Sequence, residues 1–107
     1  MYLDRRFREE QYRYCDALIN ALKDEPGLLM WNMHNEPWGT SYWSNYQGEE
    51  KERHFNELLE FVKDFTAYFR QRDSHPVTVG VVNPEQLNHV GELCDVLSFH
   101  DYSRTKK

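Results

Sequence analysis

The chain is poor in the residues that punctuate and staple a fold. Its 107 residues include only two Cys, four Pro and five Gly. Cys15 and Cys94 lack CxxC spacing and make no disulfide framework, so each is expected to be a small buried hydrophobe. Low Pro and Gly excludes collagen-like and low-complexity chains and leaves room for long uninterrupted elements. Long apolar runs are missing too. The longest, 27–31, falls far short of the ~20 residues needed to span a bilayer, so no membrane partner is expected. Met1 is followed by charged residues and no apolar leader, so no signal peptide is expected in this stretch, and the compartment stays open. There is no surplus of positive charge either. Thirteen Lys plus Arg face 18 Asp plus Glu, for a net charge of −5. The basic residues are scattered, which argues against a nucleic-acid partner.

What the chain does have is aromatics, 15% of residues against 29% charged. Bulky rings give a core something to bury, so a single ordered domain over 1–107 is expected rather than disorder. From about 4 to 24, Phe7, Tyr14, Cys15, Leu18 and Leu22 recur at helical spacing among charged residues. Pro26 and Gly27 stop that helix, and the run 28–33 reads as a short strand buried on both faces. A second helix is expected over about 49–71, with Phe55, Leu58, Leu59, Val62, Phe65 and Phe69 forming a wide apolar stripe. The β-branched run 77–82 is the clearest strand. Asn83 then fits as an N-cap with Pro84 at the first helical position and Gln86 three residues on, opening a short helix with Leu87, Val90 and Leu93. A third strand is expected over 95–99. Strands alternating with helices imply parallel crossovers, so the fold class is α/β, either a doubly wound sheet or a (β/α) barrel. The long irregular stretch of about 38–48 directly follows the first strand, a place where loops tend to carry function.

In parallel α/β folds the ligand site lies beyond the carboxyl ends of the strands. There the first strand presents His34, Asn35, Glu36 and Pro37, the second Asn83, and the third His100, Asp101 and Tyr102. Trp31 stands four residues before Asn35, giving W-x-x-x-N-E-P. At average residue usage an N-E-P triplet arises by accident in roughly one chain of this length in a hundred. With this motif, and with His100 and Tyr102 forming H-x-Y at a later strand end, the chain resembles clan A glycoside hydrolases, especially the family 5 cellulases and mannanases.

The resemblance implies a fragment of a (β/α)8 TIM barrel, running from about its third helix to its sixth strand. A whole barrel takes about 250 residues. The nucleophilic Glu of the family would then lie after Lys107, this segment alone would be inactive, and the rest of the barrel would be needed for a stable fold. The implied activity is retaining hydrolysis of a β-linked polysaccharide or oligosaccharide, which needs two carboxyl groups about 5 to 5.5 Å apart. Glu36 would be the general acid/base, with a pKa raised by apolar enclosure or by the nucleophile's charge. Asn35 would bind the 2-hydroxyl of the sugar, His100 would contact the sugar at the cleavage point, and Tyr102 would donate to the nucleophile. Asp101 would face away in an ion pair. The aromatic loop after the acid suits carbohydrate, whose C–H faces stack on rings. Trp38 is the preferred platform, and Trp43 could serve either as a platform or as a loop anchor.

Other chemistries fail on inspection. His34 and Glu36 form H-x-E without a following P-C-x-x-C, which removes a zinc deaminase. There is no HExxH, and the five His are far apart in sequence, so no metal is expected. Phosphate-binding glycine loops and a G-x-S-x-G elbow are missing, so no nucleotide cofactor or acyl transfer is expected. His54, His75 and His89 read as surface or helix-terminal residues. The competing function, from a different class, is a non-catalytic α/β or carbohydrate-binding fragment in which N-E-P is accidental.

Overall fold

The computed structural model describes residues 4–39 and 45–102. Helix α1 spans Arg5–Leu22. It starts where Asp4 Oδ1 accepts the Phe7 N–H at 2.9 Å, satisfying one of the first-turn donors that a helix leaves unpaired. Cys15 and Ile19, four apart, are its buried residues. Tyr14, expected on the apolar stripe, instead points to solvent, because at helical spacing the face that holds 15 and 19 does not contain 14. Helix α2 spans Gly48–Arg72, with Glu49 and Glu50 in its first turn and Arg70 and Arg72 in its last, both suited to the helix dipole. Its buried stripe is Leu58, Phe61, Val62, Thr66 and Phe69. The two helices are clamped by an ion pair between Arg8 and Asp64, by the Tyr68 hydroxyl donating to Asp16 at 2.6 Å, and by Tyr12 stacked on Tyr68 at 4.1 Å.

Strands β1 (Trp31–Asn35), β2 (Val77–Val81) and β3 (Ser98–Phe99) form one parallel sheet in the order β1-β2-β3. The chain is therefore α/β with a central strand, β2, whose five residues are all buried. β1 begins three residues later than the apolar run suggests. Leu28 is still tied into a turn by its N–H to the Glu25 carbonyl at 3.1 Å, and pairing starts with the Trp31 N–H on the Pro76 carbonyl at 2.9 Å. β1 is not buried on both faces either. Trp31 and Met33 are buried, while Asn32 is exposed and His34 half-buried. Trp31 packs edge-on against Phe69 of α2, with ring centroids 5.2 Å apart. That places Trp31 and its register partner Val77 on the helix-covered side, and Asn32 with Thr78 on the other.

β3 is shorter than expected: over 95–97 the segment meets β2 through a mixture of backbone and side-chain bonds, the Asp95 N–H going to the Val77 carbonyl at 2.9 Å. Asp95 Oδ2 accepts the Val77 N–H at 2.9 Å and Thr78 Oγ1 donates to the Val96 carbonyl at 2.7 Å. Asn83 caps as expected, its Oδ1 accepting the Gln86 N–H at 3.2 Å. The helix it opens is broken into a 3-10 turn at Pro84–Gln86, one α turn, α3, at Leu87–Val90, and a second 3-10 turn at Gly91–Leu93. Cys15 is buried as expected, and burial together with the charge of Asp16 pushes its thiol up to about 11. Cys94 is half-buried. No helix among the described residues is long and apolar enough to cross a membrane.

Candidate active site

The carboxyl ends of β1 and β3 are separated by β2, and three side chains bridge that gap. β1 ends at Asn35, and Glu36 turns out of the strand with its N–H on the Gly80 carbonyl at 2.6 Å. Glu36 has φ +49°, the left-handed region that L side chains avoid. This conformation costs on the order of 1–3 kcal/mol and clusters at sites where geometry matters more than local stability. The turn closes with the Gly39 N–H on the Glu36 carbonyl at 2.9 Å. A side chain on Gly39 would strike Val82 Cγ2 and meet Glu36 Cβ at 3.1 Å, so glycine lets this turn pack onto the end of β2 without displacing either.

From the other side, His100 continues β3 with its N–H on the Val81 carbonyl at 2.8 Å. Its Nδ1 lies 2.7 Å from Glu36 Oε1, and the Tyr102 hydroxyl donates to the same oxygen. These two hydrogen bonds, from His100 first and Tyr102 second, hold the Glu36 carboxyl below its ordinary range. Reciprocally, the bond to Glu36 pushes the Tyr102 phenol up. Both donors fall on Oε1, leaving Oε2 without a partner among the described residues. Glu36 thus has one oxygen fixed and one open. Beside it, Val82, Asn83, Pro84, Phe99, His100, Asp101 and Tyr102 line an open depression of about 340 Å³.

Of the residues singled out in the sequence, Glu36, His100 and Tyr102 come together. Two features of the cluster differ from the expectation. Glu36 has its pKa lowered, not raised, because what surrounds it is two hydrogen-bond donors rather than an apolar wall or a second carboxylate. Tyr102 donates to Glu36 itself. Asn35 is exposed at the end of β1, its carbonyl accepting from His34 Nδ1 at 3.2 Å. Burial pushes the His34 imidazole below its usual range. Asp101 lies exposed on the rim of the depression.

Trp38 is not a platform. It is 3% exposed, stacked on Phe55 at 4.4 Å and met edge-on by His89 at 6.0 Å. At 3% exposure, with Phe55 stacked on it, the ring offers no free face to a sugar. Trp43, within 40–44, lies outside the described residues. His75 is more than a surface residue, since its Nδ1 lies 2.7 Å from Asp73 Oδ2, which also accepts the Trp31 Nε1–H at 2.8 Å. Sequence reasoning missed Gly39 and Gly80. The signal for Gly80 was present, because an isolated glycine inside a β-branched run marks a close approach. Among the described residues no group of His, Cys, Asp and Glu is arranged to hold a metal. No family model, no curated protein and no solved structure matches the chain.

Proposed function

We propose that these strand ends are part of the catalytic face of a retaining β-glycoside hydrolase of the family 5 kind, with Glu36 as its general acid/base. The observation that carries this reading is the convergence of Glu36, His100 and Tyr102, from the ends of two different strands, on one strained carboxyl group. The sheet order is compatible with the barrel part of the proposal. Consecutive strands lying side by side without reversal mean that both crossovers wind the same way, which is compatible with a (β/α)8 barrel and is shared with each half of a doubly wound sheet.

The chemistry runs in two steps. A second carboxylate, which the resemblance puts on a strand beyond β3, attacks the anomeric carbon. The bond to the glycosidic oxygen breaks, and that oxygen takes the proton from Glu36. In the second step Glu36, now a carboxylate, removes a proton from water as the water oxygen displaces the attacking carboxylate and restores the sugar's configuration. The Glu36 held by His100 and Tyr102 is in the state the second step requires. For the first step its pKa must rise. A second carboxylate about 5 to 5.5 Å away would do this by like-charge repulsion, and by drawing the Tyr102 hydroxyl to itself.

The open Oε2 is the oxygen free to carry the proton. β-Linked oligosaccharide is the proposed substrate. The test is hydrolysis of β-linked chromogenic glycosides by the full-length natural protein, followed by NMR of the anomeric product. Cleavage with retention that drops 10² to 10⁴-fold in Glu36→Gln, the range typical of a general acid, is the expected result. No cleavage of any β-glycoside, or a fully active Glu36→Gln, would overturn the proposal and favour a non-catalytic domain.

A further inference from the structure

Gly80 is the central residue of the sheet's polar side. It pairs with Asn35 on β1 and with Ser98 on β3, its N–H is held by Asn32 Oδ1 at 3.3 Å, and its carbonyl accepts the Glu36 N–H at 2.6 Å. A glycine in the middle of a strand is ordinarily the weaker choice, since it offers no side chain to pack. Here the space above it is occupied. A Cβ at position 80 would lie 2.9 Å from His100 Nε2, closer than such atoms tolerate, and a tight 3.3 Å from His100 Cε1. The next neighbour, Asn32 Nδ2 at 3.5 Å, is at ordinary contact distance.

We propose that Gly80 is a positioning residue, whose missing side chain provides the seat on which the His100 imidazole lies so that Nδ1 reaches Glu36. The one group that obstructs a Cβ is the far end of a side chain able to swing. The sheet backbone does not obstruct it. An alanine at position 80 therefore moves the ring, not the strand. His100 is attached at the mouth of β3 and Glu36 at the mouth of β1, so a ring lifted off β2 is also lifted off Oε1. Gly80 thus acts on Glu36 from a strand that contributes no side chain to it. This role concerns how the carboxyl is held and does not depend on the substrate it serves.

The test follows the Glu36 side-chain carbon by 13C NMR through a pH titration of the full-length natural protein, with His100 followed by 15N NMR. Among the described residues, the titratable groups bonded to Glu36 are His100 and Tyr102. In Gly80→Ala the Glu36 midpoint is expected to rise as the His100 bond is lost, with an unchanged far-UV spectrum. In His100→Ala the midpoint rises to the same extent, and adding Gly80→Ala to it produces no further shift. An unmoved midpoint in folded Gly80→Ala would overturn the proposal. So would a Gly80→Ala shift that persists in the His100→Ala background. Should Gly80→Ala alone fail to fold, the double variant, which lacks the ring the Cβ would strike, must fold. Its failure would show that position 80 is constrained by the backbone and not by His100.

Discussion

Each end of the sheet carries a carboxylate that accepts several hydrogen bonds on a single oxygen, and the two are built to opposite standards. At the amino end, Asp73 Oδ2 accepts from Trp31 Nε1 and lies 2.7 Å from His75 Nδ1. Burial pushes Asp73 up, but the bonds from Trp31 and His75 outweigh it and hold the carboxyl below its usual range. Its side chain is 9% exposed and its backbone is ordinary extended chain. At the carboxyl end, Glu36 gathers His100 and Tyr102 from 64 and 66 residues away, is 22% exposed, and sits at positive φ. Similar local chemistry thus appears once as a closed clasp between secondary-structure elements and once as a strained, open group beside a depression. The proposed role of Glu36 rests on the second set of features, since hydrogen bonding alone does not separate the two.

The comparison breaks most visibly through its packing. Trp31→Ala removes a buried ring and a donor to Asp73, and should cost about 3–5 kcal/mol in denaturant unfolding. Next, Asp73→Ala leaves the buried Trp31 N–H without its acceptor and should cost about 1–3 kcal/mol, whereas Glu36→Ala, which leaves two partly exposed donors that water can satisfy, should cost about 1 kcal/mol or less. Equal losses at the two ends would erase the distinction.

Glu36→Gly should be more stable than Glu36→Ala by up to about 1 kcal/mol, because both lack the carboxyl and the αL conformation that strains an L-residue is free for glycine. A glycine variant no more stable than the alanine one would mean that the backbone at 36 is unstrained. The smallest expected effect is in acid. Both carboxyls have folded pKa values below their unfolded ones, so each contributes stability that is present above the unfolded value and lost as pH falls through the folded one. Asp73→Ala should flatten that acid limb of the stability curve.

The elements with strong local signals were legible in the sequence. Helix α2 and the β-branched run of β2 appear within a residue of their expected limits, although the buried stripe of α2 takes in Phe61 and Thr66 and leaves Phe55, Leu59 and Phe65 half-buried. The Asn83 cap appears as expected. What escaped depends on neighbours. Leu28 and Leu29 are as apolar as strand residues, yet Leu29 is exposed, because β1 can start only where Pro76 and Val77 arrive to pair with it. Trp38 follows Glu36 closely in sequence, as a cleft aromatic would, but Gly39 lets the turn fold against Val82 and the ring is buried against Phe55. The lowered pKa of Glu36 was likewise invisible, since it depends on two donors more than 60 residues away closing on one oxygen.

The most direct test of Glu36 as proton donor and acceptor compares leaving groups. In the full-length natural protein, Glu36→Gln should lose 10² to 10⁴-fold on a β-glycoside with a sugar leaving group. On a dinitrophenyl β-glycoside, whose leaving group departs without a proton, formation of the glycosyl-enzyme should be nearly unaffected. Equal losses on both substrates would contradict the account.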